Sequence, residues 1–373
     1  MQPNFIKKIK EDIFSISKND AKKFEEKALE LFYFQSEHTP VYKEYIQKLG
    51  IDSSKIDSIY KIPFLPIRFF KSHNVQVEGV ETKQIFTSSG TTDITQRSKH
   101  AISDLSFYEK SSQFIFEELY SEYGKLSDFQ IFALLPSYLE RDGSSLIYMV
   151  DYFLKNAQPN SNYFLYDYEK LKTELEKAVI THPKKPILLL GVTFALLDFA
   201  DFLQENYPNY SLPKTKQFFQ DDKRNEIIVM ETGGMKGRKK EMVREEVHNV
   251  LKNAFGVSAI DSEYGMTELL SQGYATRNIN ENGKNSRDEI WFQTPSYLKV
   301  IIRDTNDPFE LKEICENKSE TQSGAINVID LANVESCAFI ETQDLGKVNA
   351  RGEFQVLGRF DYSDVRGCNL LIL

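Results

Sequence analysis

Cysteine and tryptophan are scarce in this sequence. Its 373 residues include three cysteines and a single tryptophan. The cysteines at positions 315, 337 and 368 form no CxxC pair, and their spacing to the five histidines is not that of a metal site. An odd, sparse set of thiols fits a reducing compartment and argues against a disulfide framework. We interpret Cys315 and Cys337 as packing residues.

Long apolar runs are also missing. No run approaches the roughly 20 residues that a transmembrane helix needs. The N-terminus lacks the continuous apolar segment of a signal peptide. We therefore expect a cytoplasmic protein without an integral membrane segment.

Positive charge is limited as well. The chain carries 46 Lys and Arg against 55 Asp and Glu, which gives a net charge of −9. This balance argues against nucleic acid as a main partner. The one basic cluster, residues 236–240, is too short to follow a nucleic-acid backbone, and a solvated turn explains it at least as well.

In the middle of the chain, short apolar runs alternate with segments of helical periodicity. The apolar runs predict strands at Phe129–Leu135, Ile187–Gly191, Glu226–Met230 and Ser258–Asp261. The other segments predict helices at Ser103–Tyr123, Ser144–Lys155, Tyr168–Val179, Phe194–Glu205 and Lys239–Phe255. A helical segment is also predicted over about residues 12–49, with a new helix starting at Pro40. Such alternation is typical of an α/β domain with a largely parallel sheet.

The character of the sequence changes at Glu289. Beyond it, strands are predicted without long helices between them, at Trp291–Arg303, Ala325–Asp330, Ala338–Thr342 and Gly352–Leu357. This pattern favours an antiparallel β subdomain. We therefore divide the chain into an α/β core at residues 1–288, which includes the N-terminal helical segment, and a β-rich subdomain at residues 289–373 that ends in a short tail.

One loop is unusually rich in hydroxyl groups. An apolar run enters it at Ile85, and five of the six residues from Thr87 to Thr92 are Ser or Thr. Gly90 allows close approach of a ligand or a positive φ. Hydroxyls and backbone N–H groups together suit phosphate oxygens. From these residues alone, a Ser/Thr-rich surface turn is the simpler interpretation.

A second motif, Glu263-Tyr264-Gly265-Met266-Thr267-Glu268, follows far downstream. Thr87, Gly233 and Tyr264 each come directly after a predicted strand. Ligands of parallel sheets bind beyond the carboxyl ends of the strands. We therefore expect these three loops to meet at one edge, with a nucleotide held between Ser89 and Glu268.

Together the two motifs resemble the adenylate-forming superfamily of acyl-CoA synthetases, luciferases and nonribosomal adenylation domains, which pairs an S-S-G-T-T loop with Y-G-x-T-E. The stretches Thr87–His100, Leu134–Val150 and Gly358–Cys368 look more closely like the LuxE family, the acyl-protein synthetases of bacterial fatty acid reductase systems. The resemblance implies the α/β fold of that superfamily's large N-terminal domain. In that domain, mixed or largely parallel sheets are flanked by helices and joined to a small antiparallel β subdomain.

The resemblance implies phosphate, metal and catalytic roles. The phosphate loop corresponds to Ser88, Ser89, Gly90, Thr91 and Thr92. Thr267 matches the hydroxyl that meets the α-phosphate, and Glu268 matches the carboxylate that binds Mg²⁺. Asp93 stands where the family loop continues with glycine, and either Arg97 or Lys99 takes the place of its lysine. Without the resemblance, Glu268 is more simply a charge at a helix start.

It also implies the residues that hold the nucleoside. Gly233 and Gly234 match glycines whose backbone lies along the adenine, and Tyr264 matches the ring that stacks on it. Asp344 and Arg359 match the pair that contacts the ribose, although Gln343 replaces the glycine of the family's T-G-D motif. The alternatives are a core position for Tyr264, a turn for Asp344 and a surface ion pair for Arg359.

The C-terminus departs from most relatives. They continue beyond the G-R-x-D hinge into a mobile domain with a catalytic lysine, which we expect to be absent here. LuxE-like synthetases share this early end and use a cysteine near it as acyl acceptor, which makes Cys368 the candidate. Arg366 would raise its thiolate fraction. The alternative is an inert thiol beside an apolar end.

The resemblance implies an enzyme that uses ATP and Mg²⁺ to convert a fatty or other carboxylic acid to an acyl-adenylate. The acyl group then moves to Cys368 and on to a partner, such as an acyl-CoA reductase or carrier protein. Two alternatives remain open. One is a coenzyme A or carrier-protein ligase in which Cys368 is incidental, and the other is a non-catalytic nucleotide-binding subunit.

Overall fold

A computed structural model of the chain describes residues 2–88, 97–135, 143–182, 184–214, 227–233, 242–276, 290–313 and 321–360. Among these residues, the strands form two six-stranded sheets and a separate two-stranded hairpin. The α-helices are α1 (Gln2–Asp12), α2 (Ala21–His38), α3 (Pro40–Lys48), α4 (Phe69–Ser72), α5 (Leu105–Leu119), α6 (Ser145–Asn156), α7 (Tyr168–Thr181), α8 (Thr193–Asn206) and α9 (Arg244–Phe255). The strands are β1 (Leu65–Pro66), β2 (Gln84–Thr87), β3 (Lys99–Ile102), β4 (Gln130–Leu134), β5 (Asn162–Tyr163), β6 (Ile187–Val192), β7 (Ile228–Thr232), β8 (Asp261–Tyr264), β9 (Gly273–Ala275), β10 (Leu298–Arg303), β11 (Leu311–Lys312), β12 (Thr321–Asp330), β13 (Phe339–Asn349) and β14 (Phe354–Arg359).

The first sheet has the strand order β5-β4-β6-β7-β8-β9. All its neighbours are parallel except β8 and β9. Every residue of β4, β6 and β7 is buried, because helices cover both faces of a parallel sheet. Helix α8 connects β6 to β7, and α9 connects β7 to β8. The predicted α/β alternation is confirmed.

The second sheet has the order β1-β13-β12-β10-β11, with β14 added to β13. It is antiparallel apart from the parallel pair of β1 and β13, where Leu65 lies opposite Ile340. The predicted antiparallel sheet in the C-terminal part is therefore confirmed. A two-residue strand from far upstream completes it.

Several predicted boundaries are wrong for identifiable reasons. Helix α5 spans Leu105–Leu119 and not Ser103–Tyr123, and it begins after Asp104, whose side chain caps it by accepting from the Phe107 N–H. Strand β10 begins only at Leu298, because a turn precedes it in which the Leu298 N–H donates to the Pro295 carbonyl at 3.1 Å. Helix α1 was not predicted at all.

Strand β8 contains Tyr264 at its last position, whereas the sequence placed this strand over residues 258–261. The prediction followed apolar character, but the strand is made of Asp261, Ser262, Glu263 and Tyr264. These polar side chains are tolerated because they are hydrogen-bonded: Tyr120 Oη donates to Asp261 Oδ2 at 2.9 Å, and the partners of the other three are described below.

Strands β2 and β3 form a hairpin of their own, outside the parallel sheet. The expected strand before the hydroxyl-rich loop is therefore present, but it does not belong to the parallel sheet. Thr87 pairs with Lys99 at the end of the hairpin next to the loop.

Apolar side chains from both sheets and from the N-terminal helices form one continuous core among the described residues. Phe339 of β13 packs against Phe32 and Tyr42 of α2 and α3, with ring centroids 5.9 and 6.1 Å away. Cys337 is a free, buried thiol in this core, as predicted, and burial raises its pKa to about 12. Cys315 lies outside the described residues. Of the helices described, none combines the length and apolarity needed to cross a membrane.

Candidate active site

The β2–β3 hairpin brings Ser88, at the start of the hydroxyl-rich loop, and Ser98, just before β3, close to Glu268. The Ser88 N–H donates to the Ser98 carbonyl at 3.0 Å, and the Ser98 N–H donates to Ser88 Oγ at 3.0 Å. The Ser98 hydroxyl in turn hydrogen-bonds the Glu268 carboxylate. The two motifs therefore meet in space. Ser89, Gly90, Thr91 and Thr92 lie outside the described residues.

A buried histidine of β3 fixes the backbone of Thr267. His100 Nδ1 lies 2.9 Å from the Thr267 carbonyl, and Nε2 lies 2.9 Å from Ser336 Oγ. Burial lowers the pKa of His100 to about 4, so the ring is neutral. Because a carbonyl only accepts, Nδ1 carries the proton and Nε2 accepts from the serine hydroxyl. The sequence analysis did not single out His100, since its partners are distant in the chain.

The turn after the second motif is fixed to the antiparallel sheet. The Asp330 carboxylate accepts from the N–H groups of Leu270 and Ser271 at 3.0 Å each, and from Ser271 Oγ at 2.6 Å. Asn333 Nδ2 donates to the Glu268 carbonyl at 2.8 Å. The Glu268 side chain is itself buried, and burial raises its pKa. A cation bound beside this carboxylate would offset the cost of its desolvation.

Tyr264, Asp344 and Arg359 form a second group where the two sheets meet. Tyr264 Oη donates to Asp344 Oδ2 at 2.8 Å, and Arg359 Nε donates to Asp344 Oδ1 at 3.1 Å. Asp344 and Arg359 lie opposite each other on β13 and β14. Asp344 is buried, whereas Arg359 is exposed. Burial raises the pKa of Tyr264, and the Asp344 charge raises it further.

The Tyr264 ring is held by two aromatic neighbours. Phe354 lies edge-on at 5.0 Å between centroids, and Phe292 lies at 5.8 Å. These two rings stack on each other at 5.2 Å with an angle of 28°. The half-buried tyrosine therefore has a fixed orientation at the end of β8.

Gly233 makes a turn directly after β7, with a φ of +71° that favours glycine. Gly233 is exposed, and a Cβ built on it would meet no described atom within 4 Å. The Thr193 hydroxyl, at the start of α8, donates to the Gly233 carbonyl. Gly234 lies outside the described residues.

Two buried carboxylates lie behind this turn. Glu231 accepts from Thr193 Oγ1 at 2.8 Å and from Ser262 Oγ at 2.7 Å, and Arg244 Nε lies 3.0 Å away. Burial raises the pKa of Glu231, but His248, with its Nε2 3.7 Å away, and the Arg244 charge outweigh this effect, so the pKa of Glu231 is lowered.

Glu263 points to the opposite face of the sheet, where the Thr232 hydroxyl hydrogen-bonds it. Burial, with a contribution from the Glu231 charge, raises the pKa of Glu263 to about 7. A role for these two carboxylates was not predicted, and the signal was an acidic residue shortly after each of two neighbouring predicted strands.

Seven of the predicted site residues lie within the described part of the chain. They fall into the groups just described, built around Ser88, Gly233, Tyr264, Thr267, Glu268, Asp344 and Arg359. Of the two candidate loop cations, Lys99 is exposed and Arg97 is half-buried. Cys368 and the rest of residues 361–373 lie outside the described residues.

The chain was compared with known proteins. The model of the family described as "Acyl-protein synthetase, LuxE" matches residues 8–373. No curated protein gave a significant match.

Three similar solved structures are all of 2-hydroxyisobutyryl-CoA ligase. One is an open conformation with 2-HIB-AMP and CoA (13% identity, TM-score 0.58, covering 91% of this chain and 75% of the ligase chain). Another is a postadenylation state with 2-HIB-AMP (12%, 0.60, 91% and 68%). The third is a thioesterification state with 2-HIB-AMP and CoA (14%, 0.59, 91% and 68%). At this level of identity, the likeness establishes the fold. The family match covers nearly the whole chain, and the chain therefore belongs to the LuxE family of acyl-protein synthetases, which are acyl-adenylate-forming ligases.

Proposed function

We propose that this enzyme uses ATP and Mg²⁺ to convert a fatty acid to its acyl-adenylate, and then transfers the acyl group to Cys368 and on to a partner protein. The observation that carries the proposal is the meeting of both motifs between the two sheets. Ser88 and Ser98 lie beside Glu268. Tyr264 and Arg359 both donate hydrogen bonds to Asp344.

The nucleoside fits the second group of residues. Each Asp344 oxygen accepts one described hydrogen bond, and a carboxylate oxygen can accept two. Asp344 can therefore accept from the ribose hydroxyls as well. The Gly233 turn, where a Cβ would meet no described atom within 4 Å, suits the flat adenine, and the Tyr264 ring offers a stacking surface worth about 1–3 kcal/mol.

The phosphates and the metal fit the first group. In the described part of the chain, no cluster of three acidic, histidine or cysteine side chains could hold a metal ion. Mg²⁺ is commonly held by one or two carboxylates together with substrate phosphates, so Glu268 alone is a sufficient protein ligand. The hydroxyl-rich loop from Ser88 to Thr92 would bind phosphate oxygens. Thr267, with its backbone fixed by His100, would orient its hydroxyl toward the α-phosphate.

The reaction then consists of two substitutions. In the first, a carboxylate oxygen of the acid attacks the α-phosphorus, and pyrophosphate leaves with the electron pair of the broken P–O bond. In the second, the Cys368 thiolate attacks the acyl carbon, a C–S bond forms, and AMP leaves. The protein's main contribution is to position the reactants and to stabilise charge. The acyl group then passes from the Cys368 thioester to a second protein. The enzyme acts in the cytoplasm.

A coenzyme A ligase is the second candidate. The three similar solved structures are of a CoA ligase, two of them with CoA bound. In this alternative, the acyl-adenylate passes directly to the CoA thiol, and Cys368 has no part.

Two experiments separate these functions. Pyrophosphate exchange with a panel of carboxylic acids should give exchange that requires Mg²⁺ and is strongest with fatty acids. A protein that exchanges with no acid, yet binds ATP, is a non-catalytic nucleotide-binding subunit.

The second experiment labels the protein with radioactive fatty acid and ATP, without CoA. We expect hydroxylamine-labile label on the wild type and on Cys315→Ser, the matched control, but not on Cys368→Ser. Exchange without any label on the protein would instead identify the CoA ligase.

A further inference from the structure

Arg244 has no role in the reaction described above, yet it contacts Glu231 and Phe292, which lie behind the Gly233 turn and the Tyr264 ring of the proposed adenine site. It is the first residue of α9, and about one-third of its side chain is exposed. Its Nε lies 3.0 Å from Glu231 Oε1, and its guanidinium carbon lies 5.0 Å from the centroid of Phe292.

On one side, this guanidinium supports the Gly233 turn. Glu231 lies on β7, two residues before Gly233. Thr193 Oγ1 lies 2.8 Å from the other Glu231 oxygen, Oε2, and the single hydroxyl proton is shared between this oxygen and the Gly233 carbonyl. A shift of the Glu231 carboxylate would therefore move the turn through Thr193.

On the other side, Arg244 supports the Tyr264 ring. The Phe292 ring that it covers stacks on Phe354, and both rings contact Tyr264, at 5.8 and 5.0 Å. The orientation of Tyr264 therefore depends on a ring that Arg244 holds in place.

We infer that Arg244 is a positioning residue that sets the distance between the Gly233 turn and the Tyr264 ring, and hence the fit of a purine base between them. This inference rests on the proposed function. Arginine suits the task because its planar group pairs with a carboxylate while its face covers an aromatic ring. Lysine keeps the charge but cannot make both contacts with one planar group. Arg244 would affect the binding of the base only, because the phosphates would bind at the group of residues around Ser88 and Glu268.

The test compares a ligand that has a base with one that lacks it. The affinities of ATP and of inorganic pyrophosphate are measured by equilibrium titration for the wild type, Arg244→Lys and Arg244→Met. Lys252→Met, which removes one positive charge from the same helix, is the control. We expect ATP affinity to fall about tenfold in Arg244→Met and by a smaller factor in Arg244→Lys. Pyrophosphate affinity should change less than about twofold, and Lys252→Met should bind both ligands like the wild type.

A parallel fall in both affinities would mean that Arg244 acts as a general attractor of anions, and unchanged ATP affinity would mean that it positions nothing. Either result overturns the inference. If the Arg244 variants fold poorly, Phe292→Leu provides a second test. This variant keeps Arg244 but removes the aromatic ring, and it should lower ATP affinity while leaving pyrophosphate affinity nearly unchanged. A wild-type protein that binds no ATP would refute the proposed function itself.

Discussion

Two buried groups make the stability of this enzyme depend on pH in opposite directions. His100 is held neutral, with its pKa lowered from 6.5 to about 4 by burial. Between these values the unfolded chain binds more protons than the folded one. The stability that His100 contributes is therefore full above about pH 6.5 and is lost as the pH falls through about 4.

Glu263 behaves in the opposite way. Burial raises its pKa from 4.5 to about 7, so between these values the folded chain binds more protons. Its contribution is full below about pH 4.5 and is lost as the pH rises through about 7. For each group, the difference of about 2.5 pKa units corresponds to at most about 3 kcal/mol, of which about 2 kcal/mol falls between pH 5 and 7.5. In the wild type, the two contributions largely cancel.

Single variants separate the two contributions. His100→Asn keeps an N–H that can donate to the Thr267 carbonyl but does not titrate, and Glu263→Gln is the matching change for the carboxyl group. The free energy of unfolding is measured by urea denaturation at about pH 5, 6 and 7.5. The free energy of unfolding of the wild type minus that of His100→Asn should increase by about 2 kcal/mol as the pH rises over this range. The same quantity for Glu263→Gln should decrease by about 2 kcal/mol. Two flat profiles, or two of the same sign, would refute the reasoning.

Three further predictions concern the site. In Asp344→Asn, the KM for ATP should rise about tenfold in pyrophosphate exchange, because the ribose hydroxyls lose a charged acceptor. The preference for ATP over 2′-deoxy-ATP should shrink in the same variant, and an unchanged preference would place the ribose elsewhere. Glu268→Gln should lower the exchange rate about 100-fold and raise the Mg²⁺ concentration needed for half-maximal rate, because it removes the charge that binds the metal. An unaltered Mg²⁺ titration would contradict this role. Gly265→Ala should reduce the free energy of unfolding in urea by about 1–3 kcal/mol, since a Cβ there would clash with the Glu263 carboxylate. A neutral effect would mean that this carboxylate moves easily.

The alternation of strands and helices could be predicted because the buried strands of a parallel sheet are continuous apolar runs. Strand β6 begins at Ile187 as predicted and ends one residue later than predicted. Helix α6 begins directly after Ser144, whose hydroxyl accepts from the Ile147 N–H, as its position in the sequence indicates. Strand β8 was misplaced because its side chains are polar and owe their burial to partners on other elements.

The candidate site was predicted from motifs, and its supporting residues were not. Tyr264, Glu268 and Asp344 belong to patterns that a resemblance can identify. The role of His100 depends on a carbonyl 167 positions away, and that of Arg244 depends on Glu231 and Phe292, which are on other elements. Local sequence carries no signal for such contacts, because they exist only after the sheets pack together.

The strand that presents Asp344 is also tied to the beginning of the chain. Strand β1, at Leu65–Pro66, is its parallel neighbour, and the Ile67 N–H donates to the Glu341 carbonyl at 2.9 Å. The buried Gln35 amide accepts from the Ala338 N–H just before the strand, at 2.9 Å. A fragment that lacks the first 80 or so residues would leave these buried groups without partners, at about 1–3 kcal/mol each. The smallest autonomous ligase that can be cut from this sequence must therefore retain its N-terminal helices, although none of them carries a residue that we assign to the nucleotide.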